Sequence, residues 1–189
     1  MSVFLVDIEA FGKSPYSGKL TEFGVINYDR FSREIQDTSI QEVMKLADKH
    51  NNSLAYRGIL LDLEPDPTNP ASRKRVPVDQ DTYLDTNGFV MKEFANWLSL
   101  NSHGAPIFLS DNNGYDYQWI NFAFDMALLD NPFGHSSRRI TDFFNGLKKN
   151  FRLQTHHWKR LRKPVPHDHN PVHDSLGNAW AFYQMQKEI

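Results

Sequence analysis

At 189 residues, 40% of them apolar and 13% aromatic, the chain is long enough to bury one substantial core and reads as a single domain, 1–189. A formal net charge of -2 excludes the protein-wide positive field of a general nucleic-acid binder and leaves room only for a local basic groove. Cysteine is absent, which excludes disulfides, cysteine zinc sites and iron–sulfur clusters, and no apolar run approaches the roughly 20 residues of a membrane span. The N-terminal stretch Met1 to Asp7 has neither a basic n-region nor a cleavage site, so a cytoplasmic protein with no membrane partner is expected.

Val3 to Val6 is a continuous apolar run, the pattern of a strand buried on both faces, and Asp7-Ile8-Glu9 ends it. Gly12 to Gly18 is loop chemistry, and Phe23 to Tyr28 reads as a second strand. Asp29-Arg30 is then expected to turn, with Phe31 to Ile40 as a third strand. Glu42 to His50 reads as a short helix and Arg57 to Leu63 as a strand. Glu64 to Val78, with Pro65, Pro67, Pro70, Pro77 and the basic run Arg73-Lys74-Arg75, is expected to be an exposed loop. Thr86-Asn87-Gly88 precedes a helix from Phe89 to Leu100, striped by Val90, Phe94, Trp97 and Leu98. Ala105 to Leu109 is a short buried strand, and Ser110 to Gly114 turns into a helix from Tyr115 to Leu129. Arg139-Ile140-Thr141 reads as a strand end, Phe143 to Asn150 as a short helix, and His156 to His169 as a basic, proline-interrupted stretch. Val172 to Lys187 is the terminal helix. Strands first, then strands alternating with helices, predict an α/β fold layered around a mixed sheet.

Three places carry residues fit for chemistry. Asp7 and Glu9 end an apolar strand, and a period of two points both carboxylates to one side. Such a pair is either solvated or neutralised by a hard cation such as Mg²⁺ or Mn²⁺. Asp62-Leu63-Glu64 repeats the spacing, so the motif alone does not decide. Asp116 follows Asp111-Asn112-Asn113-Gly114-Tyr115 near a helix start, where the dipole favours an anion; a first-turn acid with no further role has the same address, and Asp111 competes with it. In His167-Asp168-His169-Asn170-Pro171-Val172-His173-Asp174, His169 sits on a loop with Asp174 five residues on, in the last helix. A mobile imidazole suits a general base. Surface histidines, or a transition-metal site through His167, His169 and His173, are the alternatives.

Taken together and in order, these motifs resemble the DEDDh 3′→5′ exonucleases of the ribonuclease T/DnaQ-like group. Val6-Asp7-Ile8-Glu9 is similar to that group's first motif, and Glu22-Phe23-Gly24-Val25 to its Glu-x-Gly signature on the second strand. Asn112-Asn113-Gly114-Tyr115-Asp116 is similar to the second motif, and His169 to Asp174 to the third. Ser110-Asp111-Asn112, Asn131-Pro132-Phe133-Gly134 and Arg138-Arg139-Ile140 resemble a subfamily of short bacterial and phage exoribonucleases and DexA-like enzymes. The resemblance covers Phe4 to Gly24 and Trp97 to the end, not Thr38 to Asn87.

The resemblance implies a ribonuclease H-like mixed sheet flanked by helices. It implies two Mg²⁺ or Mn²⁺ ions roughly 3.5–4 Å apart, held by Asp7, Glu9, Asp116 and Asp174, with Asp7 bridging and His169 as base. Substrates would be single-stranded 3′ ends, RNA favoured over DNA because small members of the group without a polymerase are often exoribonucleases. Ala10 and Phe11 would meet the terminal nucleotide; Phe11 as a core residue is the alternative. Tyr117 follows the second motif and is a further contact candidate, whereas Trp119 reads as core. Trp158, Lys159 and Arg160, within the basic stretch His156 to Lys163, would line the phosphate path, as would Arg138; a plain solvated face has the same composition. Many members of the group are homodimers, a state this sequence is compatible with. Two rival functions remain: an inactive nucleic-acid-binding module, and a metal-dependent nucleotide phosphohydrolase with histidine ligands.

Overall fold

The structure is a computed structural model that describes residues 1–61 and 79–188 in full and the backbone of residues 63–66 and 69–75. Its centre is a five-stranded mixed sheet. β1 (Ser2–Phe11) pairs antiparallel with β2 (Lys19–Asn27), which pairs antiparallel with β3 (Ala55–Ile59). On its other side β1 runs parallel to β6 (Pro106–Ser110), and β6 parallel to the short edge strand β7 (Ser137–Arg139). The order β3-β2-β1-β6-β7, flanked by helices on both faces, is that expected of a ribonuclease H-like fold.

The continuous apolar run of β1 has the cause anticipated from the sequence: both faces are covered. Phe4, Val6 and Ile8 point into a core with Phe94 and Trp97 of α3 (Gln80–Asn101) and Ile120 and Phe124 of α4 (Asn113–Met126). Leu5 points the other way, into a core with Phe144 of α5 (Ile140–Lys148), Trp158 of α6 (Thr155–Lys159) and Leu176, Ala179 and Phe182 of α7 (Pro171–Gln186). Residues in step with Leu5, namely Asp7 and Glu9, therefore face the α7 side.

Four expectations are corrected. Residues 28–37 form helix α1 (Tyr28–Asp37), not a turn and a third strand. Asn27 caps it by accepting from the Arg30 amide at 3.1 Å, and Arg30 pairs with Glu34 one turn on. Buried Tyr28 and Phe31, with half-buried Ile35, carry the helical period. The next helix, α2 (Ile40–Ala47), starts from a capping box between Ser39 and Glu42. Helix α3 begins nine residues before the expected Phe89, because Asp79 accepts from the Thr82 amide at 2.9 Å and supplies a cap. Asn87, read as preceding the helix, is a buried helical residue donating to the Ala123 carbonyl at 2.9 Å. The strand expected over 57–63 is β3, earlier by two residues and ending at Ile59.

The proline-rich stretch is a two-stranded ribbon rather than a loop. β4 (Leu63–Asp66) pairs antiparallel with β5 (Asn69–Arg75), apart from the main sheet. Proline is admissible there because a strand outside a large sheet has a free side that needs no amide. The side chains of Asp62, Leu63 and Glu64 lie outside the described residues. Among the described residues no helix is long and apolar enough to cross a membrane.

Candidate active site

Parallel pairing brings the C-terminal ends of β1 and β6 together, the usual crevice position in sheets of this kind. Leu5 pairs with Leu109, so two residues further on Asp7, midway along β1, comes beside Asp111, the residue after β6. A β-bulge between Glu9 and Ala10 ends the regular register with β2, and the Thr21 hydroxyl donates to the Glu9 carbonyl at 2.7 Å.

Helix α7 supplies the partner carboxylate. Asn170 caps it, accepting from the Val172 amide at 3.1 Å, and Pro171 occupies its first turn, where a missing amide costs nothing. The helix start is pressed onto β2 at Gly24. A Cβ there would lie 2.2 Å from the Pro171 carbonyl carbon and 2.3 Å from the Val172 nitrogen, so only glycine admits this approach. The Ser175 hydroxyl donates to the Gly24 carbonyl at 2.9 Å and fixes the contact. The Glu-x-Gly signature thus has a physical reading: Gly24 seats α7, and buried Glu22 is clamped by Arg57 at 2.6 Å.

The outcome is a ligand group. Ligand atoms of Asp7, Glu9 and Asp174 all lie within 4.8 Å of one another. Asp174 is 1% exposed. Asp116, in the first turn of α4 and 4% exposed, lies outside the atoms that converge, although close enough for its charge to act on Asp7. Burial and then the neighbouring Asp116, Asp111, Asp174 and Glu9 push the Asp7 carboxyl well above its ordinary range. Burial and then Asp111 push Asp116 up to about 8. Glu9 is raised as well, by burial, against a lowering pull from His169. Carboxylates so close cannot all ionise without a counter-charge.

His169 adopts a left-handed backbone, φ 59°, on the loop before α7. Its Nδ1 lies 3.7 Å from Glu9 Oε1, and its side chain is 73% exposed. The His167 ring sits 4.8 Å from it, centroid to centroid, and His167 Nδ1 reaches Asp174 Oδ1 at 2.6 Å. His173 does not join them. Its two nitrogens are spent on Asp48 at 2.7 Å and Asp168 at 2.8 Å. The three-histidine metal site is therefore not formed; His167, His169 and Asp174 make a second potential ligand group instead.

The substrate candidates are placed unevenly. Ala10 and Phe11 are half-buried at the end of β1, directly after the ligand strand. Trp158 is 0% exposed and donates from its indole nitrogen to Thr141 at 3.0 Å, so its ring is core and not a stacking platform. Lys159 is held by Asp111 at 2.8 Å, which makes it a counter-charge at the rim of the carboxylate cluster rather than a free phosphate contact. Tyr117 turns from the ligand group, edge-on to Phe108 and hydrogen-bonded to the Gly134 carbonyl. Trp119 is core, as read. Arg160 and Arg138 are exposed, with Arg138 on the rim of a cavity beside β7 that includes Arg139 and Phe143.

Arg162 escaped the sequence reading, and His167 entered it only as a possible transition-metal ligand; both grip Asp174 Oδ1. A buried aspartate requires a cationic or donor partner, and the adjacent basic stretch was the available signal.

No protein-family model matches the chain. A comparison with curated proteins finds a distant relative, 28% identical over 102 residues, from Escherichia coli. It is a 3′-5′ DNA exonuclease, Cap18. The matched region is 51% of this chain and 54% of that protein, so the chain spans about half the length of the curated relative it matches.

Proposed function

We propose that this chain is a divalent-metal-dependent 3′→5′ exonuclease that releases nucleoside 5′-monophosphates from single-stranded ends. The observation that carries the proposal is the convergence of Asp7, Glu9 and Asp174 within 4.8 Å, with Asp116 near enough for its charge to raise the Asp7 carboxyl. The relative named as a 3′-5′ DNA exonuclease supports the same class of reaction.

The donor set fits Mg²⁺ or Mn²⁺: oxygen ligands only among Asp7, Glu9, Asp116 and Asp174, mutually repelling and poorly solvated. Asp116 Oδ2 is buried with no hydrogen-bond partner, an acceptor that a cation would satisfy. Bound there, such ions stabilise developing charge on the phosphoryl and leaving oxygens and acidify a water. His169 supplies the proton acceptor. Its exposed imidazole, on a left-handed loop residue with Nδ1 3.7 Å from Glu9, can reach a water beside that carboxylate. The attacking oxygen forms the new bond to phosphorus, the P–O3′ bond breaks, and the leaving 3′-oxygen takes a proton from solvent to become the 3′-hydroxyl of the shortened strand. Exposed Arg160 and Arg138 are the proposed phosphate contacts, and Phe11, at the end of the ligand strand, the proposed contact for the terminal nucleotide.

RNA was the expectation from the chain's small size, whereas the relative is named for DNA, so the proposal covers 3′ ends of both. Matched RNA and DNA oligonucleotides with labelled 5′ ends, incubated with Mg²⁺ or Mn²⁺, test it. A ladder shortening from the 3′ end, abolished by chelation and by Asp7→Asn, is expected, and its extent on each sugar assigns the preference. Internal cuts, or turnover that survives chelation, would overturn the proposal.

A further inference from the structure

We infer that Arg162 is a positioning residue for Asp174: a resident cation that keeps this carboxylate in the ligand group before any metal arrives. The inference rests on the metal-site reading above. Arg162 ends a 3₁₀ turn, Arg160–Arg162, and is 6% exposed although Arg160 and Lys163 beside it are exposed. One nitrogen, Nη2, donates to Asp174 Oδ1 at 2.5 Å and to the Asp174 backbone carbonyl at 3.3 Å. Gripping the carboxylate and the carbonyl of one residue from one atom restricts the side chain to rotamers that keep both on the same side. His167 Nδ1 reaches the same oxygen. Among the described residues, every side-chain hydrogen bond to this carboxylate ends on Oδ1, which leaves Oδ2 for a cation.

The fold makes room for this grip. Gly177 lies three residues along α7 from Asp174, and a Cβ there would stand 2.6 Å from Arg162 Nε and 2.8 Å from Nη2. A mid-helix glycine weakens the helix, so its presence where the guanidinium rests marks the space the arginine needs. Arg162 Nε is itself buried without a partner, and among the described residues the side chain's hydrogen bonds all go to Asp174. An arginine serving only to knit the core would be expected to satisfy its fork more fully.

Groups that hold a metal ligand from behind typically change metal affinity by roughly 10–100-fold when removed. The test is Mn²⁺ binding, read by electron paramagnetic resonance or calorimetry without substrate, on the unaltered protein and on Arg162→Gln, Arg162→Lys and Gly177→Ala. Arg162→Gln is expected to bind Mn²⁺ roughly 10–100-fold more weakly, with Arg162→Lys recovering part of the loss. Gly177→Ala keeps the guanidinium but drives it from its seat, and alanine favours the helix. It should therefore lose affinity while its melting temperature in chelator is held or raised, which a folding defect would not produce. Gln and Ala variants that bind Mn²⁺ within twofold of the unaltered protein, or more tightly, would make Arg162 a structural counter-ion and overturn the inference alone. A folded, unaltered protein that binds no Mn²⁺ would overturn the metal-site reading, and this inference with it.

Discussion

Removing the charge of Asp116 should stabilise the metal-free protein at alkaline pH while destroying its activity. The carboxyl is pushed up to about 8 from 3.8, by burial first and by Asp111 second. It stays protonated in the fold while the unfolded chain ionises near 4, so between those values each rise in pH favours unfolding. The stability Asp116 contributes is complete below pH 4 and lost as pH rises through 8. Asp7, Glu9 and His173 are also raised, so their contributions fall in the same direction. Asp79, Glu42 and Asp168 are lowered and act only below about pH 4. About four pKa units at 1.36 kcal/mol each give an upper bound on the order of 5 kcal/mol for Asp116. If relaxation and water entry leave about 2 kcal/mol, the melting temperature still moves by roughly 4–8 °C in a chain of this size. Melting curves in chelator from pH 5 to 8.5 should fall for the unaltered protein and fall less for Asp116→Asn, which becomes the more stable of the two at pH 8. Saturating Mg²⁺ or Mn²⁺ should restore the unaltered protein and not the variant. A melting temperature that is flat or rising with pH in chelator would refute the reasoning.

His169→Ala should lower turnover on oligonucleotides by about 10²–10⁴-fold while Mn²⁺ binding stays near that of the unaltered protein; retained turnover would remove the general base from the scheme. Gly24→Ala places a Cβ 2.2–2.4 Å from backbone atoms of Pro171 and Val172, which cannot give way cheaply. A loss of about 1–3 kcal/mol in denaturant melts is expected, together with reduced activity from a displaced α7. Trp158→Ala should cost about 3–5 kcal/mol in the same melts, as for any large core residue. In conditions where that variant stays folded, KM for oligonucleotides should be unchanged, whereas Arg160→Ala should raise it and flatten its salt dependence.

The sheet's centre was legible because Val3 to Val6 is apolar without alternation, a pattern only a doubly covered strand tolerates. That Asp7 and Glu9 share one side of β1 followed from the pleat; choosing this pair over Asp62 and Glu64 needed the other motifs. Asp116 and Asp174 needed the order of motifs, since the approach of Asp174 to Asp7 depends on Gly24 seating α7, and the nearness of Asp116 on the parallel pairing of β1 with β6. Sequence periodicity failed where a cap decided the boundary. Asn27 and Asp79 set the starts of α1 and α3, and their side-chain hydrogen bonds outweighed the aromatic and β-branched character of residues 31–40 and the glycine at 88. The basic stretch before the last helix was visible as charge, but not its division of labour. Trp158 goes inward, Lys159 to Asp111 and Arg162 to Asp174, and only packing in three dimensions separates them. A net charge of -2 hid this arrangement, since each of these cations is cancelled by a neighbouring carboxylate.

The most direct test is a crystal soaked with Mn²⁺ and a nucleoside 5′-monophosphate, read by anomalous scattering. The account predicts Mn²⁺ in contact with Asp7, with Glu9, Asp116 and Asp174 completing the ligands and the phosphate beside His169. Mn²⁺ bound by His167 and His169 away from Asp7, or an ordered crystal with no anomalous peak at this cluster, would contradict it.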